Sequence, residues 1–246
     1  MKSLLYAAGV ALVALLGIAP AHASVVIAGT RVVFPAAGGE VTVRLNNEGT
    51  QPALVEAWID DGDPKSTPDT AKVPFLVTPP LARMNAGKGQ SIRIIYTGQP
   101  LPPDRESLFW LNVLEIPPKP VARPGEEQNT LQFAVRSRLK LFFRPAGLAG
   151  DVPTAAQQLT WTAVRDGDAV ALEARNSSPY YITFSAVSVA SGGKVYAGGS
   201  GMVAPNASLR VPVKDLAGTP AAGSVVDYTI INDFGAAASY KGAISP

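Results

Sequence analysis

After residue 24 the apolar side chains fall on every second position. Val41, Val43 and Leu45 alternate with Thr42 and Arg44, and Ile92, Ile94 and Tyr96 do so less cleanly because Ile95 is apolar too. Successive side chains of a pleated strand point to opposite faces, so a period of two demands strands with one face in a core. Almost nothing after residue 24 has the 3.6 period of a helix. Turn-forming clusters separate the runs: Ala37-Gly38-Gly39, Asp60-Asp61-Gly62-Asp63-Pro64, Asn85-Ala86-Gly87-Lys88-Gly89 and Gln99-Pro100-Leu101-Pro102-Pro103.

Seven strands are expected between Val25 and Phe143, at a spacing that suits a β-sandwich of immunoglobulin type. The run from Arg144 to Asp151 is rich in Pro, Gly and Ala and shows no alternation, which suits an interdomain connection. Beyond it, Ala169–Glu173, Tyr180–Val189, Ser208–Val213 and Val225–Ile231 give a second, looser β pattern. The expectation is all-β, with domains over residues 24–146 and 147–246.

The first 23 residues differ. Lys2 precedes an Ala/Leu/Val-rich run from Leu4 to Pro20, and Ala21-His22-Ala23 has the small-x-small form of a signal-peptidase site. Residues 1–23 are therefore expected to be a cleaved signal peptide, and the mature chain to be exported. The 246-residue sequence has no Cys, and its single His, His22, lies before that cleavage point. Thiol nucleophiles, imidazole bases and Cys/His zinc sites are thereby excluded from the mature chain, and its stability must come from packing. A net charge of +2 is too small to drive nucleic-acid binding by bulk electrostatics.

Leu131 to Phe143 is the most informative segment. Leu131, Phe133, Val135, Leu139, Leu141 and Phe143 take odd positions, interrupted only by Ser137, while Gln132, Ala134, Arg136, Arg138 and Lys140 take even ones. Such a run predicts one long strand of thirteen residues. On periodicity alone, an ordinary core strand with a solvated basic face accounts for it, since edge cations commonly discourage aggregation.

The flanking segments point further. Arg105–Asn112 followed by Ile116-Pro117-Pro118 resembles the signature of the periplasmic pilus chaperones of the chaperone–usher pathway, the PapD-like family. Thr30–Phe34 resembles the family's first strand, Thr78-Pro79-Pro80 its Thr-Pro-Pro turn, and Lys140–Pro145 the end of its last domain-1 strand. In the second domain, Asn176–Tyr181 and Ile231–Gly235 are similar to family segments too, so the resemblance spans the mature chain.

The resemblance implies two immunoglobulin-like sandwiches set as an L around a cleft. It implies that Arg31 and Lys140 hold the C-terminal carboxylate of a pilus subunit. Leu131, Phe133 and Val135 are then donated to a groove in that subunit, completing its fold, and an outer-membrane usher receives the complex. Glu106, Arg144 and Asp233 match charged residues that bridge the two domains. The partners implied are subunits and usher, in the periplasm, with no cofactor, metal, nucleic acid or small-molecule substrate. The exposed strand also offers the free protein a route to self-association. Trp110 and Phe143 stand where Tyr is common in the family, and the short Pro117–Thr130 segment favours the short-loop subclass.

Other readings compete less well. Ser137-Arg138-Leu139-Lys140 spells S-x-x-K, but a Ser nucleophile and Lys base at that spacing need a helical turn, and a strand sends them to opposite faces. Asp60, Asp61 and Asp63 lack EF-hand spacing and its closing Glu, and read as a solvated turn. No constellation supports an enzyme. A carbohydrate- or surface-binding sandwich, with Trp161 or Tyr180-Tyr181 as platform, is the alternative from another class, although such aromatics are more often core.

Overall fold

The computed structural model describes residues 24–119, 131–167, 169–216 and 218–246. The expected signal peptide, residues 1–23, lies outside the described residues, as does most of the Pro117–Thr130 segment.

The first half contains β1 (Val25–Ile27), β2 (Arg31–Pro35), β3 (Glu40–Asn47), β4 (Ala53–Asp60), β5 (Phe75–Thr78), β6 (Leu81–Met84), β7 (Gly89–Tyr96), β8 (Ser107–Ile116) and β9 (Val135–Arg144). Two short strands, β5 and β6, flank the Thr-Pro-Pro turn, so the described strands exceed the seven expected. One sheet has the order β1-β3-β7-β5 and the other β2-β9-β8-β4-β6. Their inner faces share one core: Leu45, Ile92 and Ile94 from the first sheet meet Phe34, Leu111 and Leu141 from the second. The alternation at 41–45 and 92–96 therefore does what its period demands. Phe34, fully buried, lies 5.4 Å from Phe75 and 5.7 Å from Phe143 between ring centroids, and Tyr96 lies 4.6 Å from Phe143. Edge and offset contacts at such distances add to the apolar burial.

The second half contains a one-and-a-half-turn helix α1 (Val152–Gln157), then β10 (Thr160–Asp166), β11 (Ala169–Arg175), β12 (Ile182–Ser191), β13 (Lys194–Ala197), β14 (Gly201–Val203), β15 (Ser208–Pro212), β16 (Val225–Ile231) and β17 (Ala237–Ala243). Sheets β10-β11-β15 and β13-β12-β16-β17, with β14 added to β12, enclose a separate core around Trp161, Phe184 and Tyr228. Helix α1 has a sequence cause that alternation does not reveal. Asp151 caps it by accepting from the Thr154 N–H at 2.7 Å, and a proline stands in the first turn.

One expectation is corrected. The long strand begins at Val135, and Leu131–Ala134 are not strand. Alternation continues through them, but the neighbouring ladder does not. Strand β8 pairs with β9 as far as Glu115↔Val135 and ends before Pro117-Pro118, which have no N–H to donate. There the Gln132 side chain takes over, its Nε2 donating to the carbonyls of Pro117 (2.8 Å) and Pro118 (3.2 Å).

On the other edge, β2 runs parallel to β9, pairing Arg31↔Lys140 through Pro35↔Arg144. Every other strand pair among the described residues is antiparallel. Strand β2 thus covers β9 only from Lys140 onward, and among the described residues Val135–Leu139 keeps that edge open.

Because Phe34 ties β2 to both sheets, Phe34→Ala is expected to destabilise the first half by about 3–5 kcal/mol. Urea denaturation should show a lower midpoint with an unchanged slope.

Candidate functional site

Arg31 and Lys140 are direct partners across the parallel β2–β9 pair, so their side chains leave the same face of the sheet. The second half approaches that face. Arg31 Nη1 donates to the Ile231 carbonyl at 2.8 Å, and Lys140 Nζ to Thr183 Oγ1 at 3.3 Å. Among the described residues, no carboxylate comes within 4.0 Å of either cation. The buried Arg31 Nε has no acceptor among the described residues. Burial lowers the pKa of Arg31, against a pull upward from the more distant Asp233 and Glu106. Burial lowers that of Lys140 too, and the charge of Arg31 lowers it further. Two half-buried cations, one with an unused donor, are what an incoming anion would satisfy.

The apolar residues of the strand divide at Ser137. Leu139, Leu141 and Phe143 are core residues, whereas Leu131 is 79% exposed, Phe133 69% and Val135 50%. The same odd-numbered series that builds the first core therefore continues into solvent beside the open edge.

Glu106, Arg144 and Asp233 come together between the halves. Arg144 donates Nε to Glu106 at 2.7 Å and grips Asp233 through both terminal nitrogens, at 2.7 and 2.9 Å. The other Glu106 oxygen accepts the Tyr181 N–H at 2.8 Å, and the Glu106 N–H reaches the Pro179 carbonyl at 2.9 Å. Burial pushes the Glu106 carboxyl up, although Arg144 opposes it. Burial would lower the Arg144 guanidinium, but its bonds to Asp233 and Glu106 win and hold it above its ordinary value. Phe142 packs on Tyr181 beside this cluster, with ring centroids 5.7 Å apart.

The sequence reading missed a second charged network on the same face of the sheet. Asp60, read as part of a solvated turn, is 1% exposed. It sits at the end of β4 under Arg138, which bonds both its oxygens, and it accepts Asn112 Nδ2 and the Gly62 N–H, each at 2.7 Å. Burial alone would raise the Asp60 pKa; the bonds from Arg138, Asn112 and Gly62 hold it below the ordinary value instead. Arg136 stacks on Trp58 at 4.7 Å and Arg138 on Trp110 at 4.5 Å. The register Asn112↔Arg138 and Asp60↔Trp110 creates these contacts, and no spacing within one segment announces them. The aromatic-platform reading finds no surface at Trp161 or Tyr180, which are buried in the second core.

Comparison with known proteins now identifies the family. Residues 24–149 match the family model "Pili and flagellar-assembly chaperone, PapD N-terminal domain", and residues 154–242 match "Pili assembly chaperone PapD, C-terminal domain". The chain is 47% identical to the chaperone protein FimB/FhaD of Bordetella pertussis over 236 residues, covering 94% of this chain and 93% of that one. The CupB2 chaperone of Pseudomonas aeruginosa superposes with a TM-score of 0.74 at 40% identity, over 89% of this chain and all of that one. The SafB chaperone, solved in complex with the SafA pilin of Salmonella enterica, gives 0.72 at 29% identity, over 92% and 99%. The chain belongs to the PapD family of pili assembly chaperones.

Removing Arg144 leaves Glu106 buried without its cation, so Arg144→Ala is expected to cost about 3–5 kcal/mol in stability. It should also loosen the two halves, read as an increased radius of gyration in small-angle scattering. Asp233→Asn, which leaves the Arg144–Glu106 pair in place, should do less on both measurements.

Proposed function

We propose that this chain is a periplasmic chaperone that captures pilus subunits by lending them a strand and passes them to an outer-membrane usher. In this reading residues 1–23 direct export and are removed, and residues 24–146 and 147–246 form the two domains. The observation that carries it is a strand edge, open among the described residues, that ends at two cations with no acidic partner among them. A strand adding to β9 beside Val135–Leu139 is stopped at Lys140, where β2 begins. Running parallel to β9, it would end there in its C-terminal carboxylate, facing Arg31 and Lys140.

Arg31 binds the carboxylate through its guanidinium, whose Nη1 already donates to the Ile231 carbonyl, and Lys140 adds a compact charge. Each contact contributes about 4 kcal/mol at 4 Å before desolvation, at an effective dielectric near 20. Leu131, Phe133 and Val135 enter an open groove in the subunit, with about 1.5–3 kcal/mol for each side chain fully buried. Main-chain pairing sets direction, as in other cases of strand addition. Glu106, Arg144 and Asp233 hold the halves at the angle that keeps the cations accessible. No bond is made or broken, and no nucleotide is required.

The test is a pull-down from the periplasm of the native host. The wild-type chain is expected to retain a small subunit-like protein identified by mass spectrometry, and Arg31→Ala and Lys140→Ala to lose it while melting normally. Retention of the same protein by all three would overturn the carboxylate reading.

Capture should also weaken at alkaline pH. Burial and Arg31 lower the Lys140 pKa in the free chain, and a bound carboxylate favours the charged form, so binding takes up a proton in that range. Affinity is fully present below the free-chain pKa and declines as pH rises through it. The decline should begin below the ordinary lysine value of 10.5 and be absent in Lys140→Arg, whose guanidinium stays charged, as measured by isothermal titration.

A further inference from the structure

Three basic side chains, Arg136, Arg138 and Lys140, leave β9 on the same face at successive even positions. Residues two apart in a strand are separated by about 6.6–6.8 Å, so the column offers a carboxylate three stations in a row. Apolar patterning does not choose between them. A slip of one residue would turn a strand inside out, but a slip of two keeps the same side chains facing the groove. Something other than alternation must fix where the partner stops.

We infer that Asp60 fixes it, by neutralising Arg138 and Arg136 so that the carboxylate of a captured strand seats only at Lys140 and Arg31; this rests on the strand-lending reading above. Arg138 gives Nε to one oxygen of Asp60 at 3.2 Å and Nη2 to the other. Arg136 lies 3.6 Å from Asp60, bonds Asn112 Oδ1 through Nε and Nη2 at 2.9 and 2.7 Å, and gives Nη1 to the Pro64 carbonyl at 2.8 Å. Asp60 is buried at the foot of both, and Asn112, also fully buried, ties it to the same sheet. The Arg136 and Arg138 guanidinium carbons also lie over the Trp58 and Trp110 rings, 4.7 and 4.5 Å from the centroids.

Two residues further along, the pattern stops. Lys140 has a hydroxyl where Arg138 has a carboxylate, and Arg31 has a carbonyl and a free Nε. Asp60 is therefore a positioning residue: it touches no partner and acts through the cations it occupies. Its low pKa keeps it charged throughout the neutral range, so the compensation does not lapse there.

The experiment uses the exported chain and a synthetic probe. The probe is an alternating Val/Thr peptide of about ten residues, a strand-sized length. It carries a free C-terminal carboxylate and a benzophenone photo-crosslinker at a fixed distance from it. The cross-linked position on β9 is read by mass spectrometry. Wild type should give one position. Asp60→Asn should add positions displaced toward the N-terminus of β9, by two residues at Arg138 and by four at Arg136, and combining it with Arg138→Gln should remove the first of these.

Arg138→Gln alone should leave position and affinity unchanged, which keeps the inference testable if Asp60→Asn does not fold. A single wild-type position in folded Asp60→Asn, or a tenfold loss of affinity in Arg138→Gln, would overturn it. The C-terminal amide of the same peptide separates the two levels of the argument. If wild type binds amide and acid equally, the carboxylate reading itself fails, whatever Asp60 does.

Discussion

Like charges repel, yet the parallel pairing of β2 with β9 sets Arg31 directly beside Lys140 in a half-buried setting. Burial lowers the Lys140 pKa most, and the charge of Arg31 lowers it further, so the pair is unfavourable taken alone. It persists because the same five-residue pairing also buries Val32 and Phe34 against Leu141 and Phe143. Apolar burial on the inner face of β2 thus offsets electrostatic repulsion on the outer face. A strand with a weaker inner face could swing away and relieve the repulsion, and the two cations would no longer be held side by side.

The basic side chains of β9 differ less in kind than in what lies opposite them. Arg144 meets Glu106 and Asp233, and that contact joins the halves. Arg138 and Arg136 meet Asp60 and Asn112 within the sheet. Lys140, between these two compensated groups, meets a threonine hydroxyl. A column of similar charges is compensated unevenly through placement of acids on β4, on the approach to β8 and on the turn after β16. Buried ion pairs are poor sources of net stability but costly to break, and both properties suit residues whose task is to stay occupied.

How much of this could be read from the sequence depended on whether a feature lived in one segment or between segments. Leu139, Leu141 and Phe143 were legible as core because a period of two is local. Arg31, Lys140, Glu106, Arg144 and Asp233 were singled out by family motifs, since residues far apart along the chain carry no spacing that would link them. Alternation alone marks Leu131–Ala134 as strand because it reports side-chain patterning, while a strand also needs a partner ladder, and Pro117-Pro118 remove it. In the sequence Asp60 looks like any other residue of the Asp60–Pro64 turn cluster. Only the cross-strand register, which puts it next to Trp110 and under Arg138, shows that it is buried.

The break in the ladder at Val135 bears on which partners such a strand accepts. An open edge is a hazard wherever it can pair with any other edge. Here the regular open edge is short, and the apolar ridge lies in the segment beyond it, where Gln132 holds the chain by its side chain. Fixing one residue's backbone costs about 1–2 kcal/mol, and main-chain hydrogen bonds exchanged for water bonds contribute only about 0.5–1.5 kcal/mol each. Pairing with a flat edge therefore gives little net gain in drawing Leu131–Ala134 into a strand. Burying Leu131 and Phe133 fully adds about 1.5–3 kcal/mol apiece, and only a partner with an open apolar groove supplies it. Under the strand-lending proposal, the segment that regular secondary structure leaves out is thus the one that discriminates a subunit missing a strand from a sheet that merely has an edge.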